Sequence, residues 1–312
     1  MSKALTGRTP GRQRHLVPML PTPRDTARGI ALMLLAILLF TAMDAAAKGL
    51  IQRYPVPQVV WARFTGQVVI VVLILRGRLL AALRTRYPLQ HLVRSACQLG
   101  ATGCFFASLP HIGLAEATAL TDLNPVFITV GAAVFLGESL GPRRIIGVLV
   151  AMVGAMIVIR PGAEVFSPAA FLPLCAAAFY TANALLTRKL GPLESHWTPM
   201  IHAALFGAVV TGALQPMVWQ PIAGNDLPIF VLIGCLGTGA QLCLIRAFSM
   251  AEAGAVAPFA YVGILFATIW GIVLYDEWPD LLTLVGALVI VASGIYVWHR
   301  ETRGRRAKAI PE

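Results

Sequence analysis

The chain has 312 residues, of which 57% are hydrophobic and only 12% charged, with a mean hydropathy of +0.75. Soluble domains carry roughly a quarter charged residues, so this balance excludes an ordinary soluble enzyme or binding module. The formal net charge of +11 invites a nucleic-acid partner, but the basic residues concentrate in the two tails and at Arg76, Arg78, Arg84 and Arg86, flanking apolar stretches. Membrane orientation accounts for them, no zinc-finger or RNA-binding motif accompanies them, and no nucleic-acid partner is expected.

Residues 1–27 read as a basic, proline-containing tail. It lacks an apolar core followed by a small-residue cleavage site, so the first span is expected to be an uncleaved anchor. Ten apolar stretches follow, most of them near the twenty residues that a helix needs to cross hydrocarbon. They run approximately 28–49, 57–75, 89–109, 113–136, 144–160, 168–187, 197–218, 227–248, 253–275 and 280–298. Helix-ending chemistry separates them: Tyr54-Pro55-Val56-Pro57, Tyr87-Pro88, Gly137 to Pro142, Arg160-Pro161-Gly162, Gly191-Pro192, Gly224-Asn225-Asp226 and Trp278-Pro279. The last residues, 300–312, form a second basic tail. The five cysteines lie inside apolar stretches and none forms a CxxC pair, so neither a disulfide framework nor a metal site is expected.

With a cytoplasmic amino terminus, twenty Lys and Arg residues fall in inside segments and three (Lys48, Arg53, Arg160) in outside ones. The positive-inside rule then predicts an inner-membrane, multi-pass protein with both termini cytoplasmic.

An internal repeat runs through the chain. Leu114-Ala115-Glu116-Ala117 recurs as Met250-Ala251-Glu252-Ala253, Glu138 is matched by Glu277, Gly147 by Gly286, and Gly154-Ala155 by Ser293-Gly294. Phe40-Thr41-Ala42-Met43-Asp44-Ala45 aligns with Phe179-Tyr180-Thr181-Ala182-Asn183-Ala184, and Arg63 falls opposite His202. Five spans per repeat is an odd number, so residues 28–162 and 163–299 are expected to lie upside down relative to one another, a recurring design of secondary transporters.

The stretch Leu123-Asn124-Pro125-Val126-Phe127, closing at Leu136-Gly137-Glu138 and followed by Gly147 and Gly154, resembles the EamA family of the drug/metabolite transporter superfamily. Ala257-Pro258-Phe259-Ala260-Tyr261 through Glu277 to Gly286 and Ser293-Gly294 resembles the same motif again. The copies differ where Gly137 precedes the first glutamate and Asp276 the second. The resemblance implies an all-α membrane protein of ten helices, built as two inverted five-helix repeats around a central cavity. It also implies transport of small metabolites such as amino acids or vitamins, a riboflavin-type importer included, with no cofactor.

A charge at the bilayer centre costs about 2.5–3.5 kcal/mol on insertion scales, so each needs a partner or a cavity. Asp44 and Arg63 are expected to pair in the outer half of the membrane, with Lys48 one turn from Asp44 as a competitor. Asp122 and Asn124 precede Pro125, where a freed carbonyl and a kink can build a site. Gln67, Tyr180, Asn183, His202 and Tyr261 complete the candidate solute contacts, with Trp270 as a second aromatic face. Gln98 and Gln241 are read first as interhelical hydrogen-bonding groups. Pro125, Pro258, Glu138 and Glu277 are read as structural, the glutamates bonding backbone N–H groups at the start of the next helix. Asp44, Asp122 and His202 are the candidate proton carriers. No HExxH, GxSxG or P-loop motif is present, which argues against an intramembrane enzyme and for a gradient as the energy source. A small solute and the lipid bilayer are the expected partners. A lipid flippase of the same fold and a homo-oligomeric state stay open.

Overall fold

The computed structural model describes residues 23–124, 126–128, 130–131, 142–160, 167–190, 194–250 and 257–308, and Pro125 and Glu138 lie outside them. Among the described residues, the α-helices of eight residues or more are α1 (Pro23–Ile51), α2 (Val56–Leu75), α3 (Pro88–Ser108), α4 (Leu114–Thr121), α5 (Pro142–Ile159), α6 (Phe171–Leu190), α7 (Trp197–Val218), α8 (Leu227–Met250), α9 (Val262–Tyr275) and α10 (Leu281–Lys308). Prolines open α1, α3 and α5, where a missing N–H costs nothing because the first turn has no partner for it. Each of the three non-glycine residues with positive φ, Arg76, Arg160 and Asp276, directly follows a helix. There is no strand among the described residues.

Five helical segments are long and apolar enough to cross a membrane: Arg24–Ile51, Val56–Leu83, Pro168–Thr187, Trp197–Val218 and Leu227–Met250. Ile145–Ile159, Phe259–Tyr275 and Leu281–Tyr296 are shorter apolar helices. Leu73, Val153, Val209, Val273 and Leu288 each expose more than half of their surface, while Gln58, His91, Arg94, Ser95 and Thr102 are buried. Apolar residues outside and polar residues inside is the arrangement that a lipid solvent selects.

The helix pairings come in matched sets. α1 packs on α8 as α3 packs on α6; α2 on α8 as α3 on α7; α1 on α9 as α4 on α6. The remaining strong pairs, α2 with α7, α4 with α9 and α5 with α10, each join a helix to the one five positions later. Exchanging the first five helices for the last five therefore leaves this set of strong pairings unchanged.

Two of the crossings are closed by glycine. A Cβ on Gly66 of α2 would stand 2.7 Å from the Gly234 Cα of α8, and a Cβ on Gly286 of α10 would stand 2.8 Å from the Gly154 carbonyl oxygen of α5. Only hydrogen fits between backbones that close, which is how helices pack in lipid without a hydrophobic drive between them.

The span expected over 113–136 is not one regular helix. Its regular part ends at Thr121, and Asp122 and Leu123 form a turn. The Asp122 N–H still bonds the Thr118 carbonyl, but the Leu123 N–H reaches back only three residues, to Leu120. Its partner α9 is irregular at the corresponding depth, starting as a 3₁₀ turn over Ala257–Tyr261. The expected break thus falls at Asp122–Leu123, before the proline.

Gly66→Val should lower the melting temperature of the purified protein by overpacking the α2–α8 crossing, a cost of about 1–3 kcal/mol. Gly239→Ala is the control, since its added Cβ would meet only Leu39 Cδ1 at 3.6 Å. Equal melting temperatures for Gly66→Val and Gly239→Ala would contradict the close crossing.

Candidate functional site

One end of the bundle gathers the connections near 51–55, 109–113, 219–226 and 276–280. Lys48, 3% exposed near the end of α1, pairs with Glu277 Oε1 at 2.5 Å and donates to the Ile112 carbonyl at 2.9 Å. The Leu114 N–H, at the first turn of α4, donates to Glu277 Oε2 at 3.1 Å. The Tyr275 hydroxyl donates to the Ala45 carbonyl. Glu277 thus ties the start of α4 to the end of α1, where a carboxylate also meets the positive end of the α4 dipole. At the same end the Arg53 Nη1 (2.5 Å) and the Tyr54 hydroxyl (2.8 Å) both donate to Asp226, and Arg160 Nη2 pairs with Asp280 at 2.5 Å. The hydrogen bond from Arg160 holds the Asp280 carboxyl well below its ordinary range, against a smaller opposing effect of burial. A cavity of about 500 Å³ lies here, bounded by Lys48, Glu116, Arg160, Glu277 and Asp280.

The other end is tied by Glu194. The Thr85 hydroxyl donates to its Oε1 at 2.6 Å, the Arg86 N–H donates to the same oxygen at 3.1 Å, and His91 Nε2 lies 2.6 Å from Oε2. Burial pushes this carboxyl up, but the three hydrogen bonds together outweigh it and hold Glu194 below its ordinary range.

Between the two ends, opening toward Glu194's side at His196, is a cavity of about 110 Å³. Arg63 and Gln67 of α2, Arg94 and Gln98 of α3, and Gln241 of α8 supply much of its polar lining. Arg94, 8% exposed, donates from Nε to the Thr187 hydroxyl (2.6 Å) and from Nη1 to the Pro199 carbonyl (2.9 Å), so it joins α3 to α6 and α7. Arg63 donates from Nη1 to the Thr102 hydroxyl (2.8 Å) and from Nε to Met43 Sδ (3.3 Å).

The sequence-derived residues divide as follows. Arg63 and Gln67 line this cavity. Gln98 lines it too while accepting a bond from Asn183 Nδ2 at 2.8 Å, and Gln241 joins the lining. Asp44 is within electrostatic reach of Arg63, but the expected contact ion pair is not among the described ones. Arg63 turns instead to Thr102 and Met43. The expected competition of Lys48 for Asp44 is also replaced: Lys48 reaches across to Glu277 and Ile112, because α1 packs on α9. Asp122 lies in electrostatic reach of both Tyr180 and Tyr261, and Tyr180 of Arg94. Asp122 Oδ2, Asn124 Oδ1, Asn183 Oδ1 and the Tyr261 hydroxyl are buried without a hydrogen-bond partner, a cost of about 1–3 kcal/mol each unless a ligand or water meets them. His202 sits elsewhere: its Nδ1 lies 2.8 Å from the Thr198 carbonyl of its own helix, and its ring stacks on His91 at 5.0 Å. Trp270 donates to the Thr41 hydroxyl at 3.3 Å. Of Pro258 only the backbone, in the 3₁₀ turn before α9, is described. Arg94 is the cavity residue that sequence reasoning did not select. Its signal was there, an arginine inside an otherwise apolar stretch.

A polar cavity enclosed by helices whose outer faces are apolar, tied at each end by ion pairs and hydrogen bonds, defines a membrane carrier. The chain belongs to the EamA-like transporter family, whose model matches residues 27–160 and again 167–298, and it is a multi-pass transporter of small metabolites. It is 30% identical over 273 residues to the pseudopaline exporter of Pseudomonas aeruginosa, covering 86% of this chain and 94% of the relative. It is 30% identical over 231 residues to a riboflavin transporter of Rhizobium johnstonii, covering 74% of this chain and 76% of that one. An S-adenosylmethionine uptake transporter of Rickettsia felis is 24% identical, with coverage of 90% and 95%. A solved structure at 16% identity shares the fold, with a TM-score of 0.61 over 91% of this chain and 99% of that one.

Glu277→Gln should destabilise the protein by about 2 kcal/mol, less than the ~3–5 kcal/mol of a fully buried broken pair because Glu277 keeps some solvent. Lys48→Met in the same chain should recover part of the loss, since no charge is then stranded beside Ile112. Thermal unfolding in detergent measures both, and a double variant less stable than Glu277→Gln alone would contradict the pairing.

Proposed function

We propose that the chain crosses the cytoplasmic membrane ten times as two inverted five-helix repeats, residues 28–162 and 163–299, with both termini cytoplasmic. It moves a small organic metabolite through the Arg63–Arg94 cavity by alternating access. The observation that carries this reading is that both halves line one polar cavity, Arg63, Gln67, Arg94 and Gln98 from the first and Ala203, Gly237 and Gln241 from the second. Two halves related by exchange can swap conformations, so that one site opens to each side in turn.

The inversion is supported by the junctions at the two ends. The α1–α2 connection meets the start of α8 through Arg53, Tyr54 and Asp226. The corresponding connection of the second half, α6 to α7, meets the start of α3 through Glu194 and His91. Equivalent loops make equivalent junctions at opposite ends. The tie at Lys48–Glu277 then lies on the outer side, and parting α1 from α9 there requires that the pair break.

The reaction is transport without chemistry or cofactor. The relatives include an exporter and uptake transporters, and among their solutes riboflavin is a second candidate for this cavity. A proton gradient is the proposed drive. Asp122 is its proposed carrier because its Oδ2 is buried without a hydrogen-bond partner and no ion pair to it occurs among the described residues. A proton can therefore be taken up and released there without dismantling an ion pair. Asp44, beside Arg63, is less free to do so.

Flux in proteoliposomes, with and without an imposed pH gradient, is the test. Wild type should accumulate solute faster with the gradient, and Asp122→Asn should keep solute counterflow while becoming insensitive to it. Gradient-independent flux in wild type would remove the proton role, and the absence of counterflow with any metabolite would remove the transport reading.

A further inference from the structure

We infer that the cavity is a carboxylate site: its solute is an organic anion whose carboxylate is held jointly by Arg63 and Arg94. The inference rests on the transporter reading and narrows the solute class.

Three observations carry it. First, Arg63 and Arg94 line one half-open cavity whose lining, among the described residues, contains no aspartate or glutamate; its other polar side chains are Gln67, Gln98, Gln241 and Thr187, with His196 at the mouth. Second, the nearest acidic groups are spoken for or set back. Glu194 is bonded to Thr85, Arg86 and His91, and Asp44 reaches Arg63 electrostatically without contact and does not line the cavity. Counting Asp44 against the two arginines leaves about one uncompensated positive charge, which a low-dielectric site retains only at a cost of several kcal/mol per ion.

Third, each guanidinium is anchored with its fork unfilled. Arginine carries five N–H donors. Arg63 spends Nε and one Nη1 hydrogen, and so does Arg94. Among the described residues the Nη2 group of each has no partner. The bonds to Thr102, Thr187 and Pro199 fix the planes of the two groups in advance, which is what bidentate recognition of a carboxylate needs. The amide groups of Gln67 and Gln241 suit the remainder of a small polar anion, and about 110 Å³ limits that anion to roughly the size of an amino acid or short dicarboxylate, well under the ~300 Å³ of a drug-sized pocket.

S-adenosylmethionine carries an α-carboxylate but, with its ammonium and sulfonium, a net positive charge that meets repulsion here, and a neutral flavin leaves both forks empty. A phosphate offers the same charge as a carboxylate, so the probes must separate them.

The experiment is thermal stabilisation of the purified full chain by glutamate, succinate and citrate, by inorganic phosphate, and by riboflavin and S-adenosylmethionine. The carboxylates should raise the melting temperature saturably and the other probes should not. Two variants locate the effect. Arg94→Lys keeps the charge but loses the fork, and should weaken carboxylate binding about 10-fold. Gln241→Glu places a carboxylate of the protein's own in the lining without removing any of the bonds made by the arginines, and should weaken it at least as much. Stabilisation by riboflavin or S-adenosylmethionine but not by carboxylates would overturn the inference and leave the transporter reading standing. Stabilisation by phosphate equal to that by carboxylates, by none of the probes, or undiminished in a folded Gln241→Glu protein would overturn it as well. Counterflow in vesicles, measured separately, reports on transport itself.

Discussion

A charge placed in hydrocarbon must find an opposite charge, a set of hydrogen bonds or water, and this constraint sorts the ionisable residues of the chain into three places. Near one end, Lys48 meets Glu277, Arg53 meets Asp226 and Arg160 meets Asp280. Near the other end, Glu194 collects Thr85, Arg86 and His91. In between, Arg63 and Arg94 are held only by neutral groups. The ends are satisfied internally and the middle is not, so the middle is where a solute can complete the bonding.

The same sorting explains why the bundle has ties rather than a continuous seam. Apolar helices gain little from one another in lipid, so contact depends on close backbone crossings and on polar bonds. The glycine crossings Gly66–Gly234 and Gly154–Gly286 provide the first. The Lys48–Glu277 and Glu194 clusters provide the second, and each is confined to one end. Ties of this kind at each end allow one end to part while the other stays joined, which is the motion that alternating access requires.

Much of this was legible in the sequence. Helix edges followed from Pro55, Pro88 and Trp278-Pro279, where the described helices start or stop within a few residues of the expected positions, whereas α10 runs on to Lys308, well past the expected 298. Family membership followed from two copies of a motif. Glu277 does bond a helix start, but that of α4 at Leu114 rather than, as expected, that of the helix that follows it in sequence. What escaped was whatever depends on which helices touch. The partner of Lys48 is set by the packing of α1 on α9, and sequence proximity pointed instead to Asp44, one turn away. His202 looked equivalent to Arg63 by alignment, yet its ring lies against His91 and its nitrogen is used by its own helix. Arg94 was visible as a charge in an apolar stretch, but only the meeting of α3 with α6 and α7 shows that its head lines the cavity. The turn at Asp122–Leu123, by contrast, lies about one turn before Pro125, the distance at which a proline frees a carbonyl.

The central claim is that the Arg63–Arg94 cavity is the solute site and communicates with one side of the membrane at a time. The most direct measurement is the reaction of a single cysteine at Ala203, a lining residue of α7, with a membrane-impermeant thiol reagent, after the five native cysteines have been replaced. The account predicts reaction from the face that carries residues 194–196, and a slower rate when a transported solute is present. Reaction from the opposite face alone, or a rate that no transported solute changes, would contradict it.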